Sequence, residues 1–173
     1  MIRSPSSEAS WRERIHTRMH VDIRLMEAAA IGRWLDRARA AYVADLIASG
    51  IGQAEASRTA MEQEAAAFPD GRPANGHVVF NVVVDGDEVG HLWIGPRAPD
   101  DHDHWWVWDI EIDETWRGRG VGRAAMELAE REARDRGCVE IGLSVIADNP
   151  ARRLYESLGY REASIRMRKP LGP

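Results

Sequence analysis

The chain has 173 residues, 44% of them apolar and 29% charged, and a formal net charge of −5. That balance describes one globular domain with a sizeable core, and the lack of any long basic run argues against nucleic acid as a partner. Cys138 is the only cysteine, which excludes an internal disulfide and a cysteine-based zinc site. No apolar stretch approaches the roughly 18 residues needed to cross a bilayer, and Met1–Ser10 lacks the apolar core of a signal peptide. A cytoplasmic protein with no membrane partner is expected. The mild acidity leaves amine-bearing partners open.

Residues 1–18 are rich in Ser and Arg, with Trp11 and Ile15 as the only anchors, and read as an arm or tail. The domain itself is expected over residues 19–171. Val21, Ile23 and Leu25 alternate with Asp22 and Arg24, the period of a strand. Over residues 27–48, Ile31, Trp34, Leu35, Ala38, Tyr42, Val43 and Leu46 recur at three and four, predicting a helix with one buried face. Ser49, Gly50 and Gly52 stop it. Residues 53–67 predict a second, Ala-rich helix with Met61 inward, broken by Pro69, Asp70, Gly71 and Pro73.

The period then changes to two. His77–Val84 is a β-branched strand, Asp85-Gly86-Asp87 a hairpin turn, and Glu88–Ile94 the returning strand. A polar loop follows from Pro96 to Asp103. Trp105–Asp113 is a third strong strand, and a helix is expected from about Gly120 to Arg136, with Gly137 just beyond its end. Val139–Ile146 reads as a strand. Asn149-Pro150 has the cap-then-first-turn signature of a helix running to Leu158. Gly159 ends that helix, and Tyr160–Arg168 can supply one or two last strands. The whole is α/β with a mixed sheet.

Two segments stand out chemically. Trp116-Arg-Gly-Arg-Gly-Val-Gly122 lies between a strand and a helix. A helix N-terminus carries donors without partners and a dipole that favours an anion, and glycines let the backbone curl around a phosphate. Arg117, Arg119 and Arg123 add charge to that cradle. The competing reading is a flexible turn. Gly120-Val-Gly122-Arg-Ala-Ala125 also satisfies a dinucleotide fingerprint, but about fifty residues remain after it, too few for a doubly wound domain. A P-loop is excluded, since no G-x-x-x-x-G-K-[ST] is present.

Arg117-x-x-Gly120-x-Gly122 resembles the R/Q-x-x-G-x-G/A signature of the GNAT N-acetyltransferase superfamily. Asp109-Ile-Glu-Ile-Asp113 looks like the strand that precedes it there. Downstream, Asn149-Pro-Ala-Arg-Arg-Leu-Tyr155-Glu-Ser-Leu-Gly159-Tyr160 is similar to that family's N-x-x-A-x-x-L-Y-x-x-x-G-F/Y element. The resemblance is strong from about Trp105 to Leu171, while from Val21 to Ile94 only the order of elements agrees. It implies a GNAT acyl-CoA N-acyltransferase fold: a mixed twisted sheet with flanking helices and a splayed central strand pair. It implies acetyl-CoA as co-substrate, with the phosphates held by Arg117, Gly118, Arg119, Gly120, Val121, Gly122 and Arg123. The pantetheine arm would bond backbone at Ile110 and Ile112, with Asn149, Arg152 and Tyr155 beside the cofactor.

The strand's period places Asp109, Glu111 and Asp113 on one face and Ile110 and Ile112 on the other. An amine must be uncharged to attack a thioester, and an alkylammonium with a pKa of ~10 is mostly protonated at neutral pH. Glu111 is the candidate base, directly or through water; the competing reading pairs it with an arginine. Tyr155 shares the apolar stripe of Ala151, Leu154 and Leu158, where a phenol is commonly a core residue. The resemblance makes it instead the acid for the departing thiolate. Asp100-Asp-His-Asp-His104 reads as an exposed polar loop, with an adventitious metal site as the lesser alternative, and no metal is expected in the reaction. The tryptophans Trp34, Trp93, Trp105, Trp106 and Trp108 belong mostly to the core, with an acceptor pocket as the other reading.

The expectation is acetyl transfer to a small-molecule or peptide amine, within a ternary complex. A non-catalytic acyl-CoA-binding or sensing module is the alternative. An edge strand near the C-terminus offers a homodimer contact.

Overall fold

The structure is a computed structural model, described for residues 19–146, 148–165, 167 and 169; the expected arm at 1–18 lies outside the described residues. In chain order it runs β1 (Val21–Leu25), α1 (Ala28–Ala48), α2 (Gln53–Ala67), β2 (Val78–Val84), β3 (Asp87–Pro96), β4 (His104–Ile112), α3 (Val121–Asp135), β5 (Glu140–Leu143) and α4 (Arg152–Ser157). Short 3₁₀ turns sit at Pro69–Gly71 and Glu114–Trp116. The five strands form one sheet in sequence order, antiparallel from β1 to β4 and parallel between β4 and β5.

β-Branched residues occupy both faces of β2, Val-Val-Phe-Asn-Val-Val-Val, and nearly all are buried, as a central strand covered on two sides requires. The β2–β3 turn puts Asp85 and Gly86 at φ 51° and 105°, the double positive φ that matches the twist of a tight hairpin. On one face, Val82, Val84, Leu92, Ile94, Trp105 and Val107 pack against Val121, Ala125, Met126, Ala129 and Ala133 of α3. On the other, Val79 and Trp93 pack against Ile31, Trp34 and Leu35 of α1 and against Ala67 and Phe68 at the end of α2. The sheet is therefore sandwiched, with α3 on one face and the α1–α2 pair on the other.

Two irregularities shape the sheet. Gly90 lies so close to β4 that an added Cβ would meet the carbonyl oxygen of Glu111 at 2.1 Å. In β4, Trp93 pairs with Asp109 but Ile94 with Val107, so Trp108 is an extra residue, a β-bulge. The parallel ladder to β5 joins only His104–Val107 to Glu140–Leu143. From Trp108 to Ile112, β4 keeps β3 as neighbour and, among the described residues, has no strand partner on its other side.

Several expectations are corrected. Met61 is 62% exposed rather than inward, and Leu25 is 69% exposed. Only Ile31, Trp34 and Leu35 of α1 are buried, because the end of that helix carrying Tyr42, Val43 and Leu46 faces α2 across an open cleft lined by Val43 and Met61. The strand expected over Val139–Ile146 is only Glu140–Leu143; Val139 and Ile146 are 75% and 46% exposed. The helix expected from Asn149 starts at Arg152, after a turn in which the Asn149 carboxamide oxygen accepts from the Ala151 N–H at 2.9 Å. Among the described residues after Tyr160 there is no strand; Ile165 stays 74% exposed, unpaired by any neighbour that would bury it.

The two glycine environments predict opposite effects. Gly90→Ala should destabilise by about 1–3 kcal/mol, because backbone must move to admit the methyl group. Gly32→Ala, in the middle of α1 with open space around its Cβ position, should stabilise by about 0.5–1 kcal/mol through helix propensity. Urea unfolding of both variants measures the contrast, and equal signs would contradict the packing described.

Candidate functional site

The glycine loop hangs from the end of β4. Gly118 and Gly120 have φ of 72° and 86°, and an added Cβ at either would meet nothing within 4 Å. The loop thus curls with its concave side open, in a conformation that disfavours any side chain. Gly120 is the N-cap of α3, and no side chain caps the helix. Its first internal bond runs from the Ala124 N–H to the Gly120 carbonyl at 3.1 Å, so the donors of Val121, Gly122 and Arg123 point out of the helix end. The first turn of α3 also holds no acidic residue to answer the dipole. The loop residues fit a phosphate group.

The arginines are less uniform than the sequence implied. The Arg117 Nε donates to the Ile112 carbonyl at 2.7 Å, and its Nη2 lies 3.7 Å from Glu111. It therefore ties the loop to the strand end. Arg123 donates to the Ser157 hydroxyl at 2.5 Å, linking α3 to α4. Arg152 is shared between Glu156 and Glu162. The Arg119 guanidinium lies 5.3 Å from the Trp116 ring centre and has no carboxylate partner among the described residues. Of the four, Arg119 keeps its charge freest for an anion.

Beside the loop lies the unpaired stretch of β4, the splay that the resemblance implied. Ile110 and Ile112 turn toward the α3 face and pack on its core. The bulge puts the next two side chains together on the opposite face: Trp108 stacks on Trp93 at 5.5 Å, and the Asp109 Oδ2 lies 2.7 Å from His91 Nε2. Glu111 follows on that face but is more than half exposed, and its neighbour is Arg117. This is the ion pair weighed from the sequence.

On the far side of the gap stands α4. Tyr155 is half-buried against the α3-side core and meets the Tyr160 ring at 6.0 Å. Burial first, and then the negative charge of Asp109, raise the Tyr155 phenol above its ordinary pKa. Asp109 is thus near enough for its charge to act on Tyr155. Burial pushes the Tyr160 phenol further up, with Glu130 adding to the effect. Asn149, exposed, uses its side chain to hold the turn into α4.

His91 had not been singled out. It sits on β3 with its Cα opposite Glu111, and the only signal in the sequence is one histidine among apolar residues of a strand that returns beside an acidic one. Register, which the sequence leaves open, brings it to Asp109. Of the tryptophans, Trp34, Trp93 and Trp105 are core residues, exposed by 1%, 5% and 5%; Trp108 is half-buried at the site. In the acidic loop Asp101 accepts from the His104 backbone and pairs with its ring. Among the described residues no group of three or more His, Cys, Asp or Glu side chains is arranged to hold a metal. No described helix is long and apolar enough to cross a membrane.

The chain has many relatives. The model of a family described as the acetyltransferase (GNAT) family matches residues 33–160. The uncharacterized N-acetyltransferase YdgE of Bacillus subtilis is 31% identical over 106 residues, 60% of this chain and 68% of that one. The L-2,4-diaminobutyric acid acetyltransferase of Streptomyces coelicolor is 37% identical over 86 residues, and the match spans 48% of this chain and 51% of that one. The crystal structure of YycN from Bacillus subtilis superposes with a TM-score of 0.77 at 24% identity, covering 89% of this chain and 100% of that one. Fold, glycine loop and matched family agree: the chain belongs to the acetyltransferase (GNAT) family, acyltransferases whose acyl donor is acetyl-CoA.

Proposed function

We propose that this enzyme moves an acetyl group from acetyl-CoA to a primary amine by direct attack in a ternary complex. One observation carries the reading: the open edge of β4 has an uncapped helix N-terminus at one end, carboxylates of Asp109 and Glu111 on one face, and the Tyr155 phenol across the gap. Phosphates would be held by the Gly118–Arg123 backbone and by Arg119. Arg117, Asn149 and Arg152 would shape the walls of that site, with the pantetheine arm along Ile110 and Ile112. Relatives named for L-2,4-diaminobutyric acid and for the alanine of ribosomal protein bS18 act on amines, which supports a small-molecule or peptide amine here. A cytoplasmic location belongs to the same proposal. So does a homodimer, for which β5 is the edge strand of the sheet among the described residues.

The chemistry needs one proton removed before attack and one returned afterwards. The acceptor reaches the site as an ammonium ion, and Glu111 takes a proton from it through water, since its carboxylate is exposed and turned toward Arg117. The amine then attacks the thioester carbonyl, and main-chain N–H groups on the unpaired edge of β4 stabilise the oxyanion. On collapse the C–S bond breaks and Tyr155 gives its proton to the thiolate. A thiol has a pKa near 8.5 and a phenol near 10; burial and Asp109 raise Tyr155 further, so it holds the proton until charge develops on sulfur. The nitrogen's second proton leaves to solvent, and the proton that Glu111 took returns through water to the phenolate, which restores both groups.

Three variants test the reading. Gly120→Val should abolish measurable acetyl-CoA binding in calorimetry, because φ of 86° strains a β-branched residue and the loop must change shape to admit it; unchanged affinity would remove the phosphates from this loop. Tyr155→Phe should leave the coenzyme A thermal shift intact and lower turnover by roughly 10²-fold. Equal loss of stability and activity would make Tyr155 a core residue and favour a non-catalytic acyl-CoA-binding module. Glu111→Gln should lower kcat by roughly 10²-fold or more and move the acid limb of the pH–rate profile, whereas full activity would strip Glu111 of this role.

A further inference from the structure

The His91–Asp109 pair is built more firmly than a surface ion pair; His91 has no part in the steps above, and Asp109 enters them only through its charge on Tyr155. Asp109 Oδ2 lies 2.7 Å from His91 Nε2. A carboxylate only accepts, so Nε2 carries the proton and donates. The imidazole is held in turn: its ring meets the Trp34 indole edge-on at 5.7 Å and 70°, and Trp34 is 1% exposed. His91 therefore cannot swing away without opening the core between α1 and the sheet. The carboxylate it holds is one-third exposed, and its Oδ1 has no hydrogen-bond partner among the described residues.

We infer that Asp109, pinned by His91, is the anchor for the ammonium group of the acceptor, which makes that acceptor a primary alkylammonium ion rather than an uncharged arylamine. The inference rests on the acceptor site proposed above. The free Oδ1 accepts one ammonium N–H and leaves another for the water path to Glu111. Neighbouring Trp108, stacked on the buried Trp93, offers an apolar wall to the alkyl stem. The bulge makes this possible, because it sets Trp108 and Asp109 on one face at the point where β4 loses its β5 partner. The charged and titratable groups around the anchor are His91 from β3 and Tyr155 from α4, with Glu111 two residues along β4. None of these supplies a cation fixed on Oδ1, so the acceptor can.

The first test needs no turnover. n-Butylammonium and n-butanol are titrated into isotopically labelled enzyme saturated with coenzyme A, while the His91 ring resonances are followed. A saturable shift with butylammonium, absent with butanol and absent in Asp109→Asn, is expected. The same response to both compounds, or a shift that survives in Asp109→Asn, overturns the anchor. In turnover, Asp109→Asn should raise KM for an alkylamine roughly 10- to 100-fold, the range for a charge-assisted hydrogen bond, a larger change than in kcat, which loses only the charge of Asp109 on Tyr155. KM for an arylamine should not move. His91→Gln, which keeps an N–H donor, should retain most of the affinity, and His91→Phe should behave as Asp109→Asn. Equal losses for both acceptors, or a loss confined to kcat, overturn the inference. If wild-type enzyme acetylates no amine yet butylammonium still moves His91, the anchor stands and the transferase reading falls. If turnover of alkylamines is intact in Asp109→Asn, the anchor alone falls.

Discussion

Among the described residues, β4 is paired on one side only between Trp108 and Ile112. A strand inside a sheet normally satisfies its backbone on both edges, and an unpaired edge costs free energy unless water or another partner takes over. Here the ladder to β5 ends at Val107, the residue before the bulge. A bulge bends the strand that carries it and increases its twist, so β4 turns away from β5 at that point. Everything proposed for the reaction occupies the gap so made. The bulge is kept in register by residues that tolerate no slip, above all Gly90, where any Cβ would run into the Glu111 carbonyl.

The two faces of the sheet divide the labour at that gap. Ile110 and Ile112 belong to the core under α3, which fixes the strand against the helix that carries the glycine loop. Trp108, Asp109 and Glu111 belong to the α1–α2 face. Arg117 joins the two, since it grips the Ile112 carbonyl while standing beside Glu111. A movement of the loop would therefore be felt at the end of β4. Tyr155 closes the gap from the remaining side, on a helix anchored through Leu158 and Tyr160 to the α3-side core. An acidic face with a protonated phenol opposite suits a cationic acceptor and an anionic leaving group at once.

Much of this was legible in the residues. Period-two and period-three-to-four patterns located β1 to β4 and α1 to α3 to within a few residues, because those elements bury continuous apolar faces that no other local structure can bury. The glycine loop and the Asn149–Tyr160 element were readable for another reason: positive φ and an uncapped helix end demand particular residues at particular spacings. The last third of the chain was less legible. Val139–Ile146 and Tyr160–Arg168 alternate as strands do, yet alternation cannot say whether an edge finds a partner, and among the described residues of these segments only Glu140–Leu143 does.

What the sequence determined by itself was the order of elements, the family and the position of the glycine loop, all carried by short-range patterns. What only the tertiary structure decided was which side chains meet. Period two set Asp109 and Glu111 on one face, but the bulge at Trp108 set which of them turns to the core and which to solvent, and β3–β4 register brought His91 to Asp109 across 18 positions of chain. The motifs place Arg117 among the phosphate-binding residues and Arg152 beside the cofactor, and in the fold they bond a carbonyl and carboxylates. Such pairings depend on the relative position of whole strands and helices, and a one-residue shift in register exchanges every partner. Local sequence has no record of that shift, so the chemistry of the acceptor face is a property of the fold.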